Sequence, residues 1–256
     1  MILLSTSSLN GYGLHRIFMF AHKAGFDGLD LTLNKLNLDY WDEEYVKSLS
    51  DSFKLPVLSI TAPSIGMNQK RVDKIVDIAL KLGSQIITFS PPHRSDKDTT
   101  WFNKYLSKIK RETHLTISIQ NVESKMLYFI IPEYKNATLN EIKKITGDAT
   151  LDLGSIDTTS GMDILIAQKA LGGTIKNVFL SDKQGIRNGL LPGGANGGIS
   201  YLPLESFLMK LKTSAYNGFI TLKVRPTELG VGNEDKVIQN MEYTINYYKK
   251  HFLNYK

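Results

Sequence analysis

The sequence predicts an α/β fold, a (β/α)8 TIM barrel, and three observations carry that prediction. Short strand-like runs alternate with helix-period segments eight times along 256 residues. Regular alternation of this kind implies parallel strands, and eight units in about 250 residues is the usual size of one closed barrel. Several helical segments also stop at a glycine just past their last apolar residue, at Gly25, Gly83, Gly147 and Gly172. Glycine there supplies the left-handed turn that ends a helix. No linker or low-complexity stretch interrupts the series, so residues 1–256 read as a single domain. A doubly wound open sheet is the competing α/β arrangement. It calls for a glycine-rich phosphate loop after the first strand, and SSLNGYG (7–13) is a poor one.

The elements follow in order. The strand ILLSTSS (2–8) leads into the helix GLHRIFMFAHKAG (13–25), and DGLDLTL (27–33) into DEEYVKSLSDSFK (42–54). PVLSITA (56–62) precedes QKRVDKIVDIALKLG (69–83), and SQIITFS (84–90) precedes TTWFNKYLSKIKRE (99–112). LTISIQN (115–121) is followed by TLNEIKKITG (138–147), and ATLDLGS (149–155) by MDILIAQKALGG (162–173). IKNVFLS (175–181) leads to LPLESFLMKLKTSA (202–215), and FITLKVR (219–225) to NEDKVIQNMEYTINYYKKHF (233–252). In each strand the apolar residues alternate, and in each helix they recur every three to four positions.

Composition narrows the function classes. The chain is 42% hydrophobic and 22% charged, an ordinary globular balance. It lacks an apolar run of about 18 residues, so no transmembrane helix is expected. MILLSTSSLN has neither the basic start nor the apolar core of a signal peptide, which makes a cytoplasmic location the default expectation. There is no cysteine, hence no disulfide and no thiolate chemistry. The net charge is +6. The basic residues are spread along helix faces beside acids, so nucleic-acid binding is not expected from charge alone.

Strand alternation assigns an interior. Leu29/Leu31, Leu58/Ile60, Ile87/Phe89, Ile117/Ile119, Leu151/Leu153, Val178/Leu180 and Leu222/Val224 are predicted to face the helices. The axis then receives Ser5/Ser7, Asp30/Thr32, Ser59/Thr61, Thr88/Ser90, Thr116/Ser118/Gln120, Thr150/Asp152, Asn177/Phe179/Ser181 and Thr221/Lys223/Arg225. Barrel interiors are more often filled by Val, Ile and Leu. Buried polar groups and charges are costly unless hydrogen-bonded or paired. This interior is therefore a linked polar network, a wet cavity or a site for a polar ligand. Catalytic residues of such barrels lie at the C-terminal ends of the strands, which here means Thr61, Ser90, Gln120, Asp152, Phe179 and Lys223.

The chain resembles the xylose-isomerase-like TIM barrels, a superfamily of sugar isomerases and epimerases with the endonuclease-IV-type abasic-site nucleases as relatives. The resemblance spans the chain. It rests on AHKAGFDGLDL, LPVLSITAP, ALKLGSQIITFSPP, ISIQNVES, TLDLGSIDTTSGMD, IKNVFLSDK, LLPGGANGGISYLPLESFLMKL and YNGFITLKV, in that order. It implies one divalent metal held by a Glu, an Asp, a His and a Glu at the ends of strands five to eight. Those positions are occupied by Gln120, Asp152, Phe179 and Lys223. Only the Asp matches, and both acid/base glutamates are missing. The histidines that the nucleases use are replaced by Thr61, Ser90, Ser155, Phe179 and Gly189. The departures predict that no cofactor is held and that the family's divalent metal is absent. Lys223 and Arg225 would then balance Asp152 and Asp30.

Candidate catalytic residues are Lys223 and Asp152. Lys223 has three readings: an ion pair with Asp152, an anchor for a carboxylate, phosphate or hydroxyl of a ligand, and a Schiff-base nucleophile, whose required low pKa Arg225 favours and the neighbouring acid opposes. Candidate substrate-binding residues are Gln120, Arg225, Asp30, Ser90, Asp182 and His93. PGGANGGIS (192–200) reads as a structural loop shared across the family or as an anion-binding loop beside Arg225. SPPHRSD (90–96), with His93, reads as a solvated turn or a ligand contact on the rim. Tyr12, Trp41 and Trp101 lie near rim loops and read as packing or as stacking surfaces. The expectation is a protein that binds a small sugar, polyol or sugar phosphate, and is either non-catalytic or a metal-independent isomerase or epimerase. The alternatives are a nucleic-acid-binding relative of the abasic-site nucleases and an interaction scaffold with a filled, inert interior.

Overall fold

A computed structural model describes residues 1–96, 98–128, 130–158, 161–193 and 202–254. Its strands in chain order are β1 (Ile2–Ser5), β2 (Gly28–Thr32), β3 (Val57–Thr61), β4 (Ile86–Phe89), β5 (Thr116–Gln120), β6 (Met126–Leu127), β7 (Ile131–Pro132), β8 (Ala149–Asp152), β9 (Ile175–Leu180), β10 (Asp182–Gln184), β11 (Arg187–Leu190) and β12 (Phe219–Leu222). Eight of them close a parallel barrel in the order β1-β12-β9-β8-β5-β4-β3-β2, while β6–β7 and β10–β11 are short antiparallel hairpins on the rim. The helices are α1 (Leu14–Ala24), α2 (Glu43–Phe53), α3 (Gln69–Leu82), α4 (Phe102–Thr113), α5 (Leu139–Thr146), α6 (Ile164–Leu171), α7 (Leu204–Thr213), α8 (Pro226–Leu229) and α9 (Glu234–Tyr248). None is long and apolar enough to cross a membrane.

The element reading from sequence agrees with this architecture to within a few residues. Gly25, Gly83 and Gly147 end α1, α3 and α5 at positive φ, the conformation a side chain would oppose. The first strand is shorter than the sequence suggests. It stops at Ser5, and Thr6–Leu9 turn into a 3-10 helix. The hydroxyls explain the turn. Thr6 Oγ1 accepts the Thr32 N–H at 2.9 Å, and Ser8 Oγ accepts the Val224 N–H at 3.0 Å. These side chains satisfy backbone groups at the ends of β2 and β12, the two neighbours of β1, that a longer β1 would otherwise meet.

The main core lies between barrel and helices and contains Leu29, Leu31, Ile60, Ile87, Ile117, Leu151, Val178 and Leu222, as alternation predicts. Leu58 is an exception. Its register against β2 slips between Leu29 and Asp30, so Val57 pairs with Leu29 and Ser59 with Asp30. This bulge turns Leu58 inward, where it joins Leu3, Ile86 and Phe219 in a separate apolar cluster. That cluster floors the barrel. Above it the interior is polar and internally bonded: Thr88, Ser118 and Thr150 hydroxyls lie 2.7–3.1 Å apart, and Thr221 donates to Asn177 at 2.9 Å.

Candidate functional site

The C-terminal ends of β5, β8, β9 and β12 bring four side chains together. Lys223 Nζ lies 3.0 Å from Asp152 Oδ2, 3.5 Å from Gln120 Oε1 and 4.1 Å from the centroid of the Phe179 ring. Each partner is held in turn. Gln120 Nε2 donates to Ser90 Oγ at 2.7 Å, which leaves its carbonyl oxygen toward the ammonium. The Asn121 side chain clamps the Asp152 backbone, accepting its N–H at 2.7 Å and donating to its carbonyl at 2.9 Å. The Lys223 N–H bonds to Leu180 O at 3.1 Å, which carries the β9–β12 ladder one residue further. An ammonium over a ring face with a carboxylate and an amide oxygen beside it is a well-satisfied cation.

These groups border a pocket of about 460 Å³, whose walls include Ser7, Ser90, Gln120, Asp152, Lys223 and Arg225. Arg225 stands at its edge, exposed, and donates to Asn188 Oδ1 at 2.6 Å. The β10–β11 hairpin positions it. The Arg225 N–H bonds to Gly189 O at 2.8 Å, and a Cβ at Gly189 would come within 3.0 Å of Arg225 Cγ. Gly189 sits at φ +68, so a side chain there meets both backbone strain and crowding.

Asp30 is fully buried and lies outside the pocket lining. Its carboxyl accepts from Ser5 at 3.1 Å, Ser59 at 2.8 Å, Thr61 at 2.9 and 3.0 Å and Thr32 at 3.2 Å. Burial pushes its pKa up, while the Ser59 and Thr61 hydroxyls and the positive charge of Lys223 pull the other way. The expected four-charge balance is thus divided. Lys223 pairs with Asp152, Arg225 bonds a neutral amide at the rim, and Asp30 is enclosed by hydroxyls.

Asp182 and His93 also lie outside the pocket lining. Asp182 is buried and accepts the N–H groups of Lys183, Gly193 and Leu202 at 2.8, 3.1 and 3.3 Å. Burial raises its pKa and these donors oppose the rise. It braces the two ends of the glycine-rich loop, whose residues 194–201 fall outside the described ones. His93 is buried between Ser95 Oγ, 2.6 Å from Nδ1, and Glu133 Oε1, 3.2 Å from Nε2, with its ring edge-on to Tyr134. It ties two rim loops together. Sequence reading passed over Asn121, Asn188 and the segment 122–137, which brings Glu123, Lys125, Glu133 and Tyr134 to the pocket wall.

The residues at the strand ends do not fit a divalent cation. They offer one carboxylate and one amide oxygen, and an ammonium and a phenyl ring take the other two places, whereas such ions want several oxygen or nitrogen ligands. Among the described residues no group of three or more His, Asp or Glu side chains is placed to hold a metal.

No family model matches the sequence. An uncharacterized protein of Mycobacterium tuberculosis is 23% identical over 90% of this chain and 91% of its own length. An uncharacterized protein of Mycobacterium leprae is 27% identical over 46% of the chain. Among solved structures, the apo 3-keto-D-glucoside 4-epimerase YcjR of E. coli superposes with a TM-score of 0.69 at 13% identity, covering 97% of this chain and 98% of that one. The IolI protein, solved with a bound zinc atom, gives 0.69 at 14% identity over 98% and 99% of the two chains. A family 2 AP endonuclease of Brucella melitensis gives 0.68 at 13% identity, with 98% coverage of both. The fold is that of the xylose-isomerase-like TIM barrels. Within that fold, the Lys223 ammonium sits at the mouth of the barrel in the middle of the four strand ends.

Proposed function

We propose that this xylose-isomerase-like barrel is of the sugar isomerase/epimerase type and binds a small sugar, polyol or sugar phosphate in the strand-end pocket without a divalent metal. The observation that supports it is the Lys223 ammonium, 3.0 Å from Asp152 and facing a polar pocket whose walls include the hydroxyls of Ser7 and Ser90, the amides of Gln120, Asn121 and Asn188, and the charged groups of Glu123, Lys125, Glu133 and Arg225. A fixed positive charge there takes the place of a bound cation. Lys223 donates to ligand oxygens, Asp152 and Gln120 accept from hydroxyls, and Ser90 orients Gln120. If the protein turns over, Lys223 polarises a carbonyl or hydroxyl oxygen and Asp152 is the base available beside it. If it does not, the same groups serve recognition alone.

The deciding experiment is a melting series with and without Mn²⁺, Mg²⁺, Zn²⁺ and EDTA, with metal analysis of the purified protein, followed by a panel of sugars and sugar phosphates. A ligand that binds only the folded state stabilises it by about 2.7 kcal/mol at 100-fold excess over Kd. The proposal expects no metal shift, no co-purified metal and a shift with at least one sugar-class ligand. A clear shift with one metal would refute the metal-free part. Silence across the sugar panel would refute the ligand class.

A further inference from the structure

A second concave surface lies on the barrel rim, where the loops after β2 and β3 meet the start of α3. It is an open groove of about 590 Å³, within the range of about 300–1,000 Å³ typical of small-molecule sites. Its walls carry four cations, Lys35, Lys70, Arg71 and Lys74, against a single acid, Asp42. Asp42 is already committed, since it caps α2 by accepting the Tyr45 N–H at 3.0 Å. None of the four cations forms an ion pair with an acid among the described residues.

Two of the cations, Arg71 and Lys35, converge on Gly66. Arg71 Nη1 donates to Gly66 O, and a Cβ built on Gly66 would lie 2.9 Å from Arg71 Nη1 and 3.2 Å from Lys35 Nζ. Lys70 and Arg71 stand in the first turn of α3, which contains no acid. A helix start is the end that favours negative charge, so this placement adds to their mutual repulsion. The groove has an aromatic wall as well. Trp41 is partly buried, its Nε1 donates to Asn34 O at 2.7 Å, and Lys74 Nζ lies 5.6 Å from its ring centroid. The indole is thereby fixed beside an ammonium. Cations without an ion-pair partner around a fixed indole suit a ligand with at least two negative charges next to a flat ring.

We propose that this groove is a second binding site, separate from the strand-end pocket, for a small phosphate-bearing ligand with a flat ring, of which a nucleoside diphosphate is the simplest example. The three negative charges of such a molecule offset the net charge of the four cations and Asp42. Titration calorimetry on the full chain tests the proposal, with ADP, inorganic pyrophosphate and a single-stranded oligonucleotide as probes. ADP is expected to bind at least about tenfold more tightly than pyrophosphate. The K70Q/R71Q/K74Q variant is expected to lose at least about tenfold in ADP affinity, while the remote K108Q/K212Q control keeps it. No ADP binding, equal affinity for ADP and pyrophosphate, or equal losses in the two variants would overturn the proposal. So would an oligonucleotide that binds far more tightly than ADP with a steep salt dependence, since that describes an extended nucleic-acid surface. Sugar binding in the strand-end pocket plays no part in these outcomes.

Discussion

Two acids stand inside this barrel, and they are accommodated in opposite ways. Asp30, on β2, is fully buried, and every hydrogen-bond donor that meets it is a neutral hydroxyl. Asp152, on β8, meets an ammonium at 3.0 Å at the edge of the pocket. The β1–β3 side is closed by side chains that complete one another. The β5–β12 side ends in groups with bonding capacity left toward solvent. A buried carboxyl ringed by hydroxyls needs its ring, whereas a carboxylate beside an ammonium needs only its partner. The first arrangement is architecture, and the second is a site.

The largest expected effect follows from breaking the closed side. Asp30→Ala strands the Ser5, Ser59, Thr61 and Thr32 hydroxyls in the interior, and unfolding stability is expected to fall by about 3–4 kcal/mol in urea titrations. A loss below about 1 kcal/mol would show that the hydroxyls re-pair among themselves. On the open side, Lys223→Met leaves the Asp152 carboxylate without its partner. The pair is partly solvated, with side-chain exposures of 26% and 11%, so the expected loss is about 2 kcal/mol, short of the 3–5 typical of a fully buried pair. Combining it with Asp152→Asn should recover most of that loss. A double variant that simply sums the two single losses would mean that the ion pair does not couple them.

The contrast was unevenly legible in the sequence. Alternation alone assigned the interior, because strand period, helix period and terminal glycines all agree along this chain. It placed Lys223, Asp152, Gln120 and Phe179 at neighbouring strand ends, where the structure brings them together. It misplaced Leu58, because a bulge adds one residue to one strand and leaves no local signature. Charge counting grouped Arg225 with Asp30, although Asp30 is buried inside the barrel and Arg225 is exposed at its rim. Alternation gives the direction of a side chain and says nothing of which loop reaches it. Asn188 takes Arg225, and a hairpin too short for any periodic pattern carries Asn188. The contribution of segment 122–137 was hidden for the same reason, although a long aperiodic insertion after a barrel strand is itself a signal of a binding wall.

The pH dependence sharpens the same contrast with a smaller effect. Burial raises the Asp30 pKa above its ordinary value of 3.8. Below that value the group is protonated both folded and unfolded. As pH rises past it the unfolded chain releases this proton first, so the folded state binds more protons and stability falls until the raised pKa is passed. Asp30→Asn removes that slope. The stability of the wild type relative to Asp30→Asn is therefore expected to decline from about pH 4 upward, by about 1.4 kcal/mol per unit of pKa displacement. Paired urea titrations across this range measure it, and a constant difference would place Asp30 at its ordinary pKa.

Arg225 supplies the finest test, because it belongs to the open side without belonging to the ion pair. It is exposed, and its guanidinium bonds only to Asn188 among the described residues, so Arg225→Gln should leave stability within about 0.5 kcal/mol of wild type. Its free donors point to a ligand group that carries charge. Under the sugar reading, the substitution should weaken a sugar phosphate by about tenfold and a neutral sugar of the same skeleton by less than about twofold, since a charged hydrogen bond contributes about 1.5–3 kcal/mol and a neutral one less. Equal losses for both ligands would make Arg225 a wall of the pocket and leave Lys223 and Lys125 as the cations that anchor charge. An unchanged affinity for both would move the ligand away from the β10–β11 side, toward Ser90 at the end of β4, across the barrel from β12.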